Sequence, residues 1–171
     1  MTSSLVLTVI GPDQTGLVEA LAAAVAAHDA NWVESRMVRL AGQFTGLLRV
    51  QVPSDRSEAL SQALSRLEQQ GLRVLVAASE QGTPARETAP LTLELVGQDR
   101  PGIVRDISRA LASQGVNVEE LETSCTSAPM SGETLFRARA KLRLPEGDSP
   151  DALREALEKL AGELMVDLVW E

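Results

Sequence analysis

Cysteine, histidine and aromatic residues are scarce in this chain, whose 171 residues include one Cys, one His, two Trp, two Phe and no Tyr. The single cysteine, Cys125, excludes an internal disulfide, and one cysteine with one histidine cannot form a structural zinc site. No apolar run reaches the roughly 18–20 residues that a membrane-spanning helix needs. The first residues, MTSSLVLTVIGPD, lack the basic segment and cleavage site of a secretory signal. These absences favour a cytoplasmic protein that binds neither a metal nor a cofactor.

The shortage of histidine also bears on catalysis. A nucleophilic serine or cysteine needs a base within reach, and His28 is the only imidazole in the chain. It continues the helical spacing of Leu21 and Val25, which predicts a packed side chain at a helix end. Cys125 has no histidine near it in sequence, and the carboxylates fall at ion-pair spacings on polar helix faces. The sequence therefore predicts a protein that is not an enzyme.

The chain is acidic, with a formal net charge of −8 from 16 Lys and Arg against 24 Asp and Glu. An acidic protein repels a phosphate backbone at long range. The scarcity of aromatic residues leaves few side chains that could stack on bases. We therefore expect no direct binding of nucleic acid.

The sequence contains two copies of one unit. The segment LVLTVIGPDQTGLVEALAAAVAAHDAN, which begins at Leu5, aligns without gaps with LTLELVGQDRPGIVRDISRALASQGVN, which begins at Leu91. Gly11 falls opposite Gly97, 86 positions later. Each copy starts with the alternating apolar residues of a strand, followed by a glycine-containing turn and apolar residues at helical spacing. Two more strands, a second helix and a last strand complete each copy.

This order predicts an α+β protein of two ferredoxin-like βαββαβ domains. Each domain is expected to have an antiparallel four-stranded sheet with two helices on one face. The domains are predicted at residues 1–80 and 91–171, with the polar segment 81–90 as a linker. The predicted strands are 5–9, 32–40, 44–52, 72–78, 91–95, 118–126, 135–144 and 164–170. The residues that mark the second helix of each copy are Leu60, Leu64 and Leu67, and Leu153, Leu157 and Leu160.

In such a fold the face of the sheet without helices meets water or a partner. In the second copy the strand LFRARAKLRL alternates apolar with basic residues, a pattern also compatible with a nucleic-acid surface. Glu94 and either Glu120 or Glu122 on the neighbouring strands are placed to neutralise it by cross-strand ion pairs. We therefore predict a solvated and internally paired outer face. Its basic residues are Arg137, Arg139, Lys141 and Arg143.

The outer face of the first copy is predicted to be far more apolar. Such a surface is unfavourable in water and usually marks a contact. We expect it to be covered by the other domain, a second subunit or a regulatory partner. By strand alternation it carries Val6, Thr8, Ile10, Val38, Leu47, Arg49 and Leu75.

The motif GxDxxG, followed by a helix, occurs at 11–16 and again at 97–102. It places free backbone N–H groups and the positive end of a helix dipole beside a strand end, which suits a carboxylate or another small anion. The aspartate can cap the turn or bind an ammonium group. Asn31 and Asn117 precede the second strands, and we expect their amides to reach the same crevice. The same residues also occur in turns that serve folding alone.

These residues resemble the signature of the ACT domain. The segment GQDRPGIVRDISRALASQGVNVEEL of the second copy is close to it. The first copy departs from it, with Thr15 where proline is usual and DAN where GVN is usual. ACT domains bind amino acids or similar metabolites at domain interfaces, using the first strand–helix turn and the start of the second strand. The resemblance implies ligand binding by Asp99, Arg100, Gly102, Ile103 and Asn117, with Asp13, Gly16, Leu17 and Asn31 as their counterparts in the first copy.

Two ACT repeats without an enzyme or DNA-binding domain resemble the glycine-cleavage-system transcriptional repressors. This resemblance implies a homodimer whose effector is an amino acid, with glycine as a candidate, and which acts by contacting a transcriptional activator protein. The alternative is a stand-alone regulatory subunit or interaction module of an amino-acid or folate enzyme. Because the second copy has the fuller motif and the first has the apolar face, we expect sensing in the second copy and docking through the first.

Overall fold

The computed structural model describes residues 1–79 and 90–170. The chain forms two compact units, Met1–Ala85 and Arg86–Glu171. The predicted linker, 81–90, lies outside the described residues except for Pro90, so its extent and the domain boundaries stay predictions.

Each unit has the predicted order of strands and helices. The first sheet has the order β2-β3-β1-β4 and the second the order β6-β7-β5-β8, and all neighbouring strands are antiparallel. The predicted fold class is therefore confirmed. The first unit consists of β1 (Thr2–Pro12), α1 (Leu17–Ala27), β2 (Asn31–Leu40), β3 (Gln43–Pro53), α2 (Ser57–Ser65) and β4 (Arg73–Ala78). The second unit consists of β5 (Leu91–Gln98), α3 (Ile103–Ser113), β6 (Asn117–Ser127), β7 (Thr134–Arg143), α4 (Pro150–Leu164) and β8 (Val166–Trp170).

Several strand ends differ by a few residues from the prediction, and two leucines lie in a different element from the predicted one. Helix α2 ends at Ser65, and Leu67 lies in the 3₁₀ segment Arg66–Gln70, although its side chain is buried as expected. Leu164, predicted to begin the last strand, is the last residue of α4. The next residue, Met165, adopts a left-handed conformation with φ 53°, which ends the helix before β8 begins.

The core of the first unit is a single cluster of leucine and valine side chains from the inner face of the sheet, α1 and α2. Leu7 and Leu48 lie opposite each other on β1 and β3, and both are fully buried. The second unit instead has two smaller clusters, with Ala140 opposite Leu93 where the first unit has Leu48 opposite Leu7. The inner layer of the second sheet is therefore thinner at this position.

The outer face of the first sheet is apolar, as predicted. Directly opposed residues of antiparallel strands share a face, and the register places Thr8 between Leu47 on one side and Leu75 on the other. Leu47 is 51% exposed and Leu75 is 72% exposed, and Ile10 and Val38 are also exposed. Single exposed apolar residues are common on protein surfaces, but this face carries several of them together, which is typical of a contact surface.

The outer face of the second sheet carries the predicted ion pairs. Arg139 and Lys141 of β7 pair with the predicted glutamates. Arg143 pairs with a glutamate that alternation alone does not place on this face. The register of β6 and β7 shifts between Val118 and Glu120, which frees Glu119 for the pair with Arg143. The pairs are Arg139 with Glu94 (3.4 Å), Lys141 with Glu120 (3.0 Å) and Arg143 with Glu119 (2.5 Å).

Candidate functional site

The GxDxxG turn of the first unit connects β1 to α1. Gly16 is the N-cap of α1 and adopts a left-handed conformation with φ 91°, which glycine tolerates without a steric penalty. No side chain at this N-cap accepts a hydrogen bond from the helix. The first N–H groups of an α-helix have no partner within the helix. The turn therefore provides donors of the kind that bind a small anion.

Asp13 is anchored at this turn from two directions. Its backbone N–H donates to the carbonyl of Gly42 (2.9 Å), and its Oδ2 lies 2.7 Å from Nε of Arg39. The residues Asp13, Gly16 and Leu17 line one open depression of about 370 Å³. The structure thus brings together three of the four residues predicted for the first copy.

Two residues at this turn were not predicted from the sequence. Phe44 forms part of the wall of the depression, and Arg39 pairs with Asp13. Both belong to the hairpin of β2 and β3, whose tip the sheet places beside the end of β1. Strand pairing brings these segments together, with Gly11 opposite Phe44 and Pro12 opposite Gln43, so no local motif signals their presence.

The second turn, between β5 and α3, has the same backbone. Gly102 is the N-cap of α3 with φ 88°, and the N–H of exposed Asp99 donates to the carbonyl of Thr134 (2.8 Å). The side chain of Arg100, however, contacts α3, with Nη2 3.2 Å from Oδ2 of Asp106 in the first turn of that helix. The guanidinium that the family resemblance implies for ligand binding is therefore held in an ion pair.

Asp106 receives a second arginine, Arg105, at 3.0 Å. The hydrogen bond from Arg105 is the largest influence on the pKa of Asp106, and it lowers that pKa below 3.8, with Arg100 adding to the effect and partial burial opposing it. Asp106 is consequently ionised at neutral pH. Because the pKa is lowered on folding, this contribution to stability is present above the ordinary carboxyl pKa and is lost as the pH falls below it.

Two predicted site residues belong to the cores of their units. Leu17 and Ile103, the first residues of α1 and α3, are both almost fully buried. The backbone N–H of Ile103 also donates to the carbonyl of Arg100 at 3.3 Å. Ile103 therefore fixes the start of its helix against the sheet, and its side chain does not face solvent at the turn.

The expectation that Asn31 and Asn117 reach the crevice of their own turn is wrong. Asn31 pairs with Gln51, which pairs with Ser4 near the start of β1, whereas Asp13 follows the end of that strand. The eight residue-to-residue steps from Ser4 to Pro12 span about 26 Å of extended chain.

The second unit repeats this separation. Asn117 pairs with Arg143, one position beyond the level of Leu91 at the start of β5, while Asp99 follows the end of β5. The physical reason is the connection itself. A helix that starts where the first strand ends runs back along the sheet, so the next strand enters at the opposite end.

His28 is the C-cap of a helix, Cys125 is exposed on a strand, and both tryptophans pack against a core. Nδ1 of His28 lies 2.8 Å from the carbonyl oxygen of Ala24, and His28 is the C-cap of α1. Cys125 is exposed on β6, an edge strand. Trp32 and Trp170 pack against the cores of their own units.

In residues 1–79 and 90–170 no helix has the length and apolar character to cross a membrane. Over these same ranges, no three His, Cys, Asp or Glu residues are grouped in a way that could hold a metal ion.

Solved structures of similar fold cover the whole chain. A protein of unknown function from Galdieria sulphuraria is 30% identical, with a TM-score of 0.87 over 100% of this chain and 98% of that one. A proposed glycine cleavage system transcriptional repressor is 20% identical, with a TM-score of 0.72 over 100% of this chain and 97% of that one. The second likeness is one of fold. Among curated proteins, a UPF0237 protein from Methanopyrus kandleri is 37% identical over 76 residues, which are 44% of this chain and 78% of the relative.

Both units also match protein-family models. Residues 3–77 match one ACT domain model, and residues 91–162 match another. The two matches fall on the two repeated units and include both glycine-capped turns. The chain belongs to the ACT domain family and contains two ACT domains in tandem.

Proposed function

We propose that this protein is a non-enzymatic, cytoplasmic regulator that senses an amino acid or similar small metabolite at its strand–helix turns and acts by contact with another protein. The observation that carries this proposal is the strand–helix turn of an ACT domain, seen twice, in which an aspartate lies three residues before an N-cap glycine and no side chain caps the helix. The location in the cytoplasm rests on the sequence and stays a prediction.

The turn suits the two charged groups of a free amino acid. The carboxylate would accept hydrogen bonds from the first N–H groups of the helix, where the helix dipole also favours negative charge. The ammonium group would pair with the aspartate. In the first unit it competes with Arg39, which already pairs with Asp13. In the second unit Asp99 is exposed and forms no ion pair with a described residue, which supports this unit as the sensor.

Amino-acid binding is tested by thermal unfolding of the full chain with each of the twenty amino acids, glycine included. At a concentration of about 100 times Kd, one bound ligand should stabilise the protein by roughly 2.7 kcal/mol. We expect Asp99→Ala to abolish the shift, because it removes the partner of the ammonium group.

Asn117→Ala is the matched comparison, since Asn117 lies at the other end of the same sheet. If the ligand-induced shift in melting temperature is still seen in Asn117→Ala, the site lies within one domain. If Asn117→Ala abolishes the shift, a second copy of the chain brings Asn117 to the turn. The absence of a shift from every amino acid would contradict a sensing role.

The apolar outer face of the first sheet is proposed as the contact surface, with a second copy of this chain as its occupant. Most homo-oligomers are symmetric dimers in which one patch meets itself. Because an apolar patch carries no charge, it can pack against an identical patch without electrostatic repulsion. Around Thr8, the side chains of Leu47 and Leu75 form the centre of such a patch.

We expect Leu47→Glu to dissociate the dimer, because two copies would place carboxylates in an apolar interface. Light scattering coupled to gel filtration measures the change from dimer to monomer mass. Gln51→Glu adds the same charge to the polar end of the same strand and should leave the mass unchanged. A dimer that persists with Leu47→Glu contradicts this interface. A wild-type protein that is already a monomer would also contradict this interface. The patch would then be assigned to contact with a different protein.

The finer proposal is repression of a glycine-cleavage type, exerted on a transcriptional activator without direct contact to DNA. The resemblance of the second turn to the ACT signature and the internally paired basic face of the second sheet support it. Co-purification from the native cell decides the partner. Recovery of a transcriptional activator supports the proposal, and recovery of an amino-acid or folate enzyme supports a regulatory subunit instead.

A further inference from the structure

A cavity of about 130 Å³ lies inside the second unit, between α3 and the inner face of the sheet. Its floor is formed by the small side chains Ala138 and Ala140 of β7, and Ile107 and Leu111 of α3 form its opposite wall. It is distinct from the turn at Asp99, which contributes nothing to its lining.

The first unit fills the equivalent space. Leu48 stands where the second unit has Ala140, because Leu48 faces Leu7 and Ala140 faces Leu93 in the same register. Leu48 is fully buried in the core.

A second exchange enlarges the difference. Met37 pairs with Gly46 in the first unit, and its side chain lies over that glycine, where an added Cβ would be 2.7 Å from Met37 Cγ. Thr123 pairs with Ala138 at the same level of the second sheet. The long thioether side chain of Met37 is thus replaced by the short hydroxyl side chain of Thr123. The methyl group that Ala138 adds has a much smaller volume than the side-chain volume that this replacement removes.

The cavity also has a mouth. Val104 on α3 and Leu121 on the edge strand β6 line it, and they are 40% and 52% exposed. The only side-chain hydroxyls in the lining belong to Ser108 and Thr123, both on residues exposed to solvent, and no lining residue is charged.

These properties define the chemistry of an occupant. A charged group would lose its hydration without a partner, which is strongly unfavourable. Water gains little in a space with so few polar partners, and an apolar cavity of about 150 Å³ in another protein stays dry and binds benzene. An uncharged group of similar size fits, with one polar atom able to reach a hydroxyl at the mouth.

We propose that this cavity is a second ligand site, which takes the apolar part of a small uncharged molecule, either a single aromatic ring or a branched aliphatic chain. It is separate from the proposed amino-acid site and does not depend on it. The first unit, whose larger side chains occupy the space, lacks the equivalent site.

The test uses benzene as the probe and benzoate as its charged counterpart, with the full chain observed by methyl NMR and thermal unfolding. We expect benzene to raise the melting temperature by several degrees and to shift the methyl signals of Ala138 and Ala140. Benzoate should do neither. Ala140→Leu, which copies the first unit, should abolish both effects.

A second filled variant, Thr123→Met with Ala138→Gly, covers the case in which Ala140→Leu does not fold. Asp99→Ala should keep the full response to benzene, which separates this site from the amino-acid site. The proposal is overturned if benzene at aqueous saturation leaves the wild-type signals unchanged. An undiminished response in a folded filled variant would also overturn it, because benzene would then bind elsewhere.

Discussion

Leu48→Ala is expected to lower the free energy of unfolding of the first unit by about 3–5 kcal/mol. Leu48 is only 1% exposed and lies at the centre of the inner face, opposite Leu7 of β1. Removing its side chain loses the burial of several carbon atoms and leaves a cavity that neighbouring strands cannot close. A loss of this size approaches half of the total stability of many small domains.

Urea unfolding measures this loss in a Trp170→Phe background, where Trp32 is the only tryptophan and reports on the first unit. Leu47→Ala is the matched control, since Leu47 is the next residue on the strand but faces outward. In the monomeric protein, Leu47→Ala should lower the free energy of unfolding by less than about 1 kcal/mol. Equal losses for the two variants would contradict the assignment of inner and outer faces.

Gly11→Ala is expected to destabilise the first unit by at least about 3 kcal/mol, at the upper end of the usual cost of overpacking. A Cβ at Gly11 would collide with the backbone carbonyl oxygen of Gly71 and come within 3.3 Å of Cα of Leu72. These atoms belong to the segment that leads into β4. Because they are backbone atoms, no side-chain rotation relieves the contact, and the edge strand must move.

Gly97→Ala provides a comparison at the equivalent position of the second unit. Here the added Cβ would meet the side chain of Val166. We expect a smaller loss, and Val166→Ala should restore part of it by removing the obstructing methyl group. Urea unfolding of the single and double variants measures both effects. Failure of the second change to reduce the loss would show that the backbone, too, must shift at Gly97.

Much of the fold could be predicted from the sequence because its signals are local. The gapless match from Leu5 and Leu91 onward and the change from alternating to helical spacing identify both units. The cross-strand partners Glu94 and Glu120 could be predicted for the same reason, since alternation assigns each residue of a regular strand to a face. Glu119 could not, because the irregularity beside Val118 breaks that alternation.

The candidate site was harder to predict because it depends on contacts between distant segments. The turn at Asp13 could be recognised, but its partner Arg39 comes from the far end of another strand. Asn31 was predicted at the wrong end of the sheet, because the helix between the turn and Asn31 separates them in space although they are close in sequence. The cavity depends on differences in side-chain volume across two strands, although the small residues Ala138 and Ala140 on an inward face are a visible sign of it.

The cavity beneath α3 also determines how the two units respond to hydrostatic pressure. Compression favours the state of smaller volume, and unfolding removes the internal voids that a folded domain encloses. The second unit leaves about 130 Å³ unfilled by its side chains where the first places Leu48 and Met37. Pressure should therefore unfold the second unit before the first, and an occupant of the cavity would protect it.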